Sequence, residues 1–190
     1  MSHAVNPADQ RACPLFGDGG SATLWDPHAA EQTFVVSYTR GAGGGADGWL
    51  CQPAGGSRAF VASDVLAAGR QFIYRGGRFT VKRALHVLVS SAGDVLHHAR
   101  LPPDDRNSII FHQADARIIG AAIDDLRFER QRVVIHSDRC GNTFAVSLPL
   151  ALDKACRQDR IGRRGDRVLL DDFGGGLSWG TAIVPWQLPG

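Results

Sequence analysis

The sequence predicts a mixed α/β fold, in which strands alternate with helices and one hairpin closes the sheet. Short apolar runs are typical of buried strands, and such runs occur at residues 108–111, 133–136 and 167–170. Helix-like patterns follow the first two runs, and residues 178–184 are predicted to form a hairpin with the third. With 190 residues, the chain is long enough to bury one well-packed core.

The overall composition excludes several classes of protein. Hydrophobic residues make up 44% and charged residues 21% of the sequence, which is typical of a globular protein rather than a disordered one. The net charge of +2 argues against a nucleic-acid surface, and no apolar run is long enough to span a membrane. The N-terminus lacks the features of an export signal, so we expect a cytoplasmic location. The four cysteines lack metal-ligand and CxxC spacing, which favours reduced thiols and no metal site.

The first part of the chain carries the weaker patterns. Residues 1–14 are polar and aperiodic, and we interpret them as a lead-in. Residues 15–25 and 33–39 are β-prone and predict a hairpin-like pair of strands. The turn at residues 17–20 (GDGG) lacks the Lys-Ser/Thr pair of a phosphate-binding Walker motif, so that function is disfavoured. Residues 41–58 are rich in glycine and alanine without a regular period, which predicts a loop.

The helices have more definite patterns. Residues 79–98 carry apolar side chains at helical spacing and predict a long amphipathic helix, which ends before the prolines at 102–103. Residues 116–126 repeat this pattern and predict a second helix with one apolar face. A third helix-like segment contains Pro149, which we expect to lie near the first turns or to bend the helix.

The residues with chemical functions follow the strand ends. His112 comes directly after the run 108–111, and Asn142 follows the run 133–136 after a glycine. The run 167–170 leads into a glycine-rich segment whose backbone amides can approach a ligand closely. Because ligands in open parallel sheets gather beyond the carboxyl ends of the strands, we expect the histidine, the asparagine and the glycine-rich segment to form one site.

An imidazole N–H and a carboxamide N–H are suited to one kind of chemistry. Two fixed donors can stabilise the negative charge that develops on oxygen when a carbanion forms beside a thioester carbonyl, and His112 and Asn142 could supply them. Backbone N–H groups of a glycine-rich turn can form a second oxyanion site for acyl transfer. Two structural alternatives stay open, since His112 could be a satisfied strand-end residue and Asn142 could cap the following helix.

Three motifs carry a resemblance to a known family. HQADARIIGAA, DRCGNTFAVSLPLALDKA and FGGGLSWGTAIVPW, in this order and spacing, resemble the C-terminal half of β-ketoacyl-acyl-carrier-protein synthase III, of the thiolase superfamily. FGDGG near the start is similar to that family's FGDGAG segment, and the resemblance is weakest over residues 31–70. It implies a thiolase-like half, with a five-stranded mixed sheet between helices, that lacks most of the N-terminal half. Residues 1–70 would be a remnant of the end of that half plus a glycine-rich loop, and residues 71–190 the C-terminal domain.

The resemblance also implies roles for single residues. His112 and Asn142 would be catalytic, Gly175 would supply the second oxyanion site, and Phe173 would be an aromatic gate. Contacts with the carrier protein or its pantetheine arm are implied for Gln113, Ala114, Asp115, Arg117 and Gly76.

Several positions depart from the family pattern. Asp115 replaces an asparagine, and Gly76-Gly77 replaces a Gly-Asn pair, so two polar contacts with the pantetheine arm are expected to be lost. Asp124 and Asp125 lie where basic residues often extend the patch around Arg117. We therefore expect weaker docking of an anionic carrier protein, or a different partner.

The function implied by the resemblance is acyl transfer. Such an enzyme condenses an acyl thioester with a malonyl thioester, with loss of carbon dioxide, in fatty acid or polyketide biosynthesis. It uses acyl-coenzyme A and malonyl-carrier thioesters as substrates and no further cofactor. None of the four cysteines fits the position of the nucleophile, which the family carries in the N-terminal half, so we expect the isolated chain to be inactive.

The partners expected on this basis are a Cys-bearing thiolase-like half or a homodimer partner, together with acyl carrier protein or coenzyme A thioesters. Nucleic acid and membrane partners are not expected. The alternative is a non-catalytic thiolase-like subunit or scaffold that pairs with an intact synthase. A neighbouring gene for a Cys-bearing half would favour the enzyme, whereas a neighbouring complete synthase would favour the scaffold.

Overall fold

The computed structural model of the chain describes residues 2–23, 36–41, 50–75, 77–102, 107–161 and 166–186. Within these ranges the strands are β1 (Val36–Gly41), β2 (Leu50–Cys51), β3 (Tyr74–Arg75), β4 (Asn107–Phe111), β5 (Arg167–Gly174) and β6 (Ser178–Pro185). The α-helices are α1 (Ser63–Ala67), α2 (Gly77–Ala99), α3 (Ala116–Leu126), α4 (Ser137–Cys140) and α5 (Ser147–Arg157). Among the described residues, no helix is both long and apolar enough to cross a membrane.

The main sheet is mixed, as predicted, but among the described residues it has four strands and not the five that the resemblance implied. Its strand order is β1-β6-β5-β4, with β4 and β5 parallel and the other neighbouring pairs antiparallel. β5 and β6 form the predicted hairpin, which closes where Gly174 pairs with Ser178. The short strands β2 and β3 form a separate antiparallel pair. The parallel pairing of β4 with β5 brings their carboxyl ends to the same edge of the sheet.

Helices cover both faces of this sheet, and the side chains of the strands alternate between them. Ile109 and Phe111 of β4 pack into the core under α2 and α3, whereas Ile110 between them packs into a second core under α5. α3 buries one apolar face and carries Asp115 as its N-cap, whose side chain accepts a hydrogen bond from the Arg117 backbone N–H. The helices predicted at residues 79–98 and 116–126 are therefore confirmed.

Two strand predictions were wrong, one in its pairing partner and the other in its length. The predicted hairpin of residues 15–25 with 33–39 does not form within the described residues, because Cys13–Leu15 is a 3-10 turn and β1 pairs with β6. The run 133–136 contributes a single bridge from Val133 to Ile109, because a 3-10 turn ends at Arg132 and α4 begins at Ser137.

Other predictions for the first part of the chain are met only partly. The predicted loop at residues 41–58 contains the short strand β2, while residues 42–49 within it, together with Gly76, lie outside the described residues. β1, from the first predicted segment, shares one sheet with β4 to β6, from the second. The division at residue 70 therefore stays a prediction about which half of a synthase each segment corresponds to.

Candidate active site

A cavity of about 520 Å³ lies beyond the carboxyl ends of β4 and β5, a size typical of small-molecule sites. Its walls are mainly apolar, with side chains from the N-terminal segment, α2, α3 and β6; they include Leu15, Phe16, Leu50, Val81, Ile118, Phe144 and Trp179. Polar side chains reach this cavity from a few positions, among them His112, Asn142, Asp115 and Asp172. The expected grouping of His112, Asn142 and the glycine-rich segment around one site is therefore present in the structure.

His112 is held at the end of β4 by contacts with the neighbouring strand. Its backbone N–H donates to the Asp171 carbonyl at 2.7 Å, and only 6% of the residue is exposed. Nδ1 is buried and lies 2.7 Å from Asp172 Oδ1, although the direction of approach is not that of a well-formed hydrogen bond. The Phe173 ring meets the imidazole edge-on, with the ring centroids 4.7 Å apart. These contacts leave Nε2 as the ring nitrogen available to the cavity.

Asn142 is positioned by backbone contacts with a distant part of the chain. Its N–H donates to the Leu15 carbonyl at 2.7 Å, and its carbonyl accepts from the Gly17 N–H at 3.0 Å. The side-chain Oδ1 accepts from the Phe144 N–H at 2.8 Å in a local turn, whereas Thr143 is the N-cap of the 3-10 turn and Val146 is the N-cap of α5, so Asn142 is not the cap of the following helix. Because Oδ1 is occupied in this way, Nδ2 is the polar group that the carboxamide can offer to the cavity.

The close approach of these two segments requires glycine. A Cβ atom on Gly17 would lie 1.9 Å from the Cys140 carbonyl oxygen, and one on Gly141 would lie 2.9 Å from the Leu15 carbonyl oxygen. Gly141 also has φ +64°, a value that side chains rarely adopt. The GDGG turn therefore holds the Asn142 segment in place.

The glycine-rich end of the hairpin closes one side of the cavity. Phe173 and Gly175 both line it, and a Cβ atom on Gly175 would lie 3.5 Å from the Leu50 carbonyl oxygen, an ordinary contact distance. Ala114 also lines the cavity. These residues line the same cavity as His112 and Asn142, and their oxyanion, gate and pantetheine roles stay predictions.

Gln113 is not available for the predicted pantetheine contact. Its side chain is buried, with the residue 1% exposed, and both ends of the amide bind the backbone. Nε2 donates to the carbonyls of Phe111 and Val134, while Oε1 accepts from the N–H groups of His136 and Ser137. The residue instead ties β4 to the extended segment beside it.

Arg117 and Asp115 form one unit at the start of α3. Asp115 lines the cavity and binds the exposed Arg117 guanidinium through contacts of 2.7 Å to Nη2 and 3.1 Å to Nε. Hydrogen bonding and charge from Asp115 raise the pKa of Arg117. The aspartate that departs from the family pattern thus caps the helix and partly neutralises the basic residue expected to meet the carrier.

Sequence reasoning missed two acidic residues on β5. Asp171 is fully buried, and its carboxyl group contacts Ser91 Oγ and Thr181 Oγ1. Burial raises the pKa of Asp171 to about 8, against the opposing effect of these two hydrogen bonds. The signal was the pair of carboxylates inside the strand-like segment RVLLDDFG, since strand alternation directs one to each face.

None of the four cysteines is among the described residues that line the cavity. Cys140 contacts His136 instead, with Sγ 3.2 Å from Nε2. Burial lowers the pKa of His136, with a further contribution from Lys154. This pair lies beside the Asn142 segment and not within the cavity wall.

The mixed sheet between helices, with its histidine, asparagine and glycine-rich hairpin at one apolar cavity, defines a thiolase-like half. Residues 96–186 match the family described as 3-oxoacyl-[acyl-carrier-protein] synthase III C terminal. Residues 96–186 thus match the C-terminal domain of this family, and the chain as a whole is similar to the C-terminal half of β-ketoacyl-acyl-carrier-protein synthase III.

Comparisons with individual proteins agree. β-Ketoacyl-acyl-carrier-protein synthase III from Rhodopirellula baltica is 38% identical over 98% of this chain and 59% of its own length. The Roseiflexus castenholzii synthase is 39% identical over 98% of this chain and 56% of its own. The solved Pseudomonas aeruginosa synthase III superimposes with a TM-score of 0.79 and 29% identity, over 99% of this chain and 56% of that one. The chain thus spans little more than half the length of its relatives.

Proposed function

We propose that this chain supplies the condensing half of an acyltransferase of the β-ketoacyl-acyl-carrier-protein synthase III type. The reaction joins an acyl thioester to a malonyl thioester with loss of carbon dioxide. The observation that supports this function best is the placement of His112 and Asn142 at one apolar cavity, with the Asn142 carboxamide oriented by the Phe144 N–H.

Asn142 is suited to stabilise the enolate of the malonyl thioester. When the carboxylate leaves as carbon dioxide, the electron pair of the broken C–C bond moves towards the thioester oxygen. A donor that is already oriented stabilises this charge without reorganisation during the reaction. Nδ2 of Asn142 supplies such a donor because Oδ1 is occupied, and Nε2 of His112 supplies a second one whenever it carries a proton.

The cavity wall supports a thioester with an apolar acyl group. Leu15, Val81, Ile118 and Phe144 surround the polar groups, and apolar side chains favour burial of an acyl chain over a charged substrate. Arg117 at the start of α3 is exposed and can meet a phosphate of coenzyme A or of the carrier arm. Its pairing with Asp115 makes this contact weaker than that of a free arginine.

The proposed reaction needs a nucleophilic thiol from a thiolase-like partner half, because none of the four cysteines lines the described cavity. The 190-residue chain alone should therefore take up no acyl group from labelled acetyl-coenzyme A. Stoichiometric, hydroxylamine-labile labelling of any of its cysteines would contradict this prediction.

The test of the proposed function uses the chain joined to, or co-expressed with, the N-terminal half of a related full-length synthase. Asn142→Asp keeps an oxygen that can accept from the Phe144 N–H but removes the donor. We expect this variant to lower malonyl decarboxylation by about a hundred- to thousandfold, the usual effect of losing one oxyanion donor, while acylation of the cysteine continues.

Two further variants complete this experiment. Gly175→Val should slow both acylation and decarboxylation, because the two methyl groups beyond a Cβ already in contact with the Leu50 carbonyl would crowd the Gly175 backbone amide at the cavity. Gln131→Ala changes an exposed side chain that pairs with Glu129, and it should leave both steps unchanged. Equal loss of both steps in Asn142→Asp, or no loss in either, would refute the enolate-stabilising role.

A further inference from the structure

The carboxylate of Asp172 has a defined relation to the imidazole of His112. Its Oδ1 lies 2.7 Å from Nδ1, which is buried and has no other hydrogen-bond partner among the described residues. The same oxygen accepts a hydrogen bond from the Phe173 N–H at 2.9 Å. Asp172 therefore directs an accepting oxygen at the buried ring nitrogen of His112.

The distance decides which nitrogen carries the proton of the neutral ring. A bare Nδ1 would place its lone pair against the lone pairs of Oδ1, and two acceptors at 2.7 Å repel each other. A proton on Nδ1 turns the same contact into an attraction between an N–H group and a carboxylate. The preference for a proton on Nδ1 does not require a linear hydrogen bond, because it arises from the partial charges of Nδ1 and Oδ1 at this distance.

We infer that Asp172 is a positioning residue that holds His112 in the Nδ1–H tautomer, so that the neutral ring presents an unprotonated Nε2 to the cavity. This inference builds on the proposed function and changes one part of it. His112 at rest is then a proton acceptor rather than a donor. It can accept the proton of a thiol, and the thiol then becomes a thiolate that keeps the electron pair of the broken S–H bond. Only the doubly protonated ring can donate to an enolate oxygen.

The tautomer can be measured without substrate and without a partner half. In the ¹⁵N-labelled 190-residue chain, two-bond proton–nitrogen correlations distinguish protonated from unprotonated ring nitrogens, and His112→Gln assigns the His112 signals among those of the seven histidines. Where the spectrum shows a singly protonated His112 ring, we expect the proton on Nδ1 and an unprotonated Nε2.

Asp172→Ala is the decisive variant. Once the carboxylate is absent, a proton on the buried Nδ1 has no acceptor, so we expect the two nitrogen signals to exchange their types and Nε2 to become protonated. Asp125→Ala removes an exposed carboxylate from α3 and should leave the His112 signals unchanged. Backbone amide spectra of both variants confirm that the fold is retained.

Asp172→Asn tests the same contact conservatively. Its carboxamide oxygen can accept from both Nδ1–H and the Phe173 N–H, so we expect the Nδ1–H tautomer to persist. A wild-type ring protonated at Nε2, or an Asp172→Ala ring that keeps Nδ1–H, would overturn the inference. Neither result depends on decarboxylation, so failure of the tautomer assignment is distinguishable from failure of the proposed function.

Discussion

The buried carboxyl group of Asp171 makes the stability of the fold depend on pH in a defined direction. Ser91 Oγ lies 2.7 Å from Asp171 Oδ2 and also 2.7 Å from the Val87 carbonyl. A hydroxyl has one hydrogen, so both contacts are satisfied when Asp171 is protonated and donates to Ser91, which donates to Val87. Oδ1 accepts from Thr181 at 3.0 Å. Burial outweighs the opposing effect of the Ser91 and Thr181 hydrogen bonds and raises the pKa of Asp171 to about 8.

The expected magnitude follows from proton linkage. An unfolded aspartate loses its proton near pH 4, whereas Asp171 in the fold keeps it to about pH 8. Between these values the folded state binds one proton more than the unfolded state, so the free energy of unfolding decreases as the pH rises. The contribution of Asp171 is about 1.4 kcal/mol per pH unit, or about 3–5 °C in Tm for a chain of this size.

Asp171→Asn isolates this contribution. Asparagine resembles the protonated acid, since its amide can donate to Ser91 and its oxygen can accept from Thr181. His136 contributes with the opposite sign, because burial lowers its pKa and stability therefore rises with pH as the unfolded histidine loses its proton. The difference between wild type and variant cancels this and other shared contributions.

The measurement is chemical or thermal denaturation of both proteins at half-unit pH steps from about pH 5 to 7.5, at constant ionic strength. We expect the stability of wild type relative to Asp171→Asn to fall by about 1.4 kcal/mol for each pH unit. Parallel stability curves for the two proteins would show that Asp171 is ionised in the folded state and would refute this reasoning.

Two further predictions concern residues that position the site. Gln113→Leu leaves two backbone N–H groups and two carbonyl groups unpaired, so it should lower the free energy of unfolding by about 3 kcal/mol or more in a urea titration. The control Gln131→Leu, at an exposed position, should change this free energy by less than about 0.5 kcal/mol. Gly17→Ala forces a Cβ atom against the Cys140 carbonyl and should destabilise the fold, whereas the Cβ atom of Gly20→Ala meets no atom within 4 Å and should have no effect. Equal melting temperatures for the two glycine variants would contradict this prediction.

Local patterns predicted much of the C-terminal part of the fold. The apolar period of residues 116–126 gave the bounds of α3, and the glycines after Phe173 indicated the hairpin turn. The rule that parallel strands end at one edge accounts for His112 and the glycine-rich segment, whereas Asn142 follows a segment that forms a single bridge and is positioned by backbone contacts with residues 15–17. These features depend on periodicity and strand direction, which are visible in a short stretch of sequence.

The remaining features depend on contacts between distant residues. β-Propensity in residues 33–39 indicated a strand, and β1 is Val36–Gly41, but the choice of β6 as its partner is a tertiary effect. Gln113 was assigned to a ligand contact because it lies in the HQAD motif, for which the family resemblance implied contacts with the carrier or its pantetheine arm. The Gln113 side chain is buried because the segment after Val133 makes few backbone hydrogen bonds of a strand. The Gln113 amide supplies hydrogen-bond partners for backbone groups of that segment.

The backbone contacts between residues 15–17 and Asn142 have a consequence for the order of assembly. β4, β5 and β6 with α3 and α5 lie within the second half of the chain, whereas β1 and the segment of Asn142 take their places only when the first part of the chain closes on them. Closing so long a loop costs entropy that these few hydrogen bonds must offset, and contacts of large sequence separation form slowly. During refolding, burial of the core should therefore precede completion of the site, and a chain cut before Gly17 could retain its core while losing the geometry of Asn142.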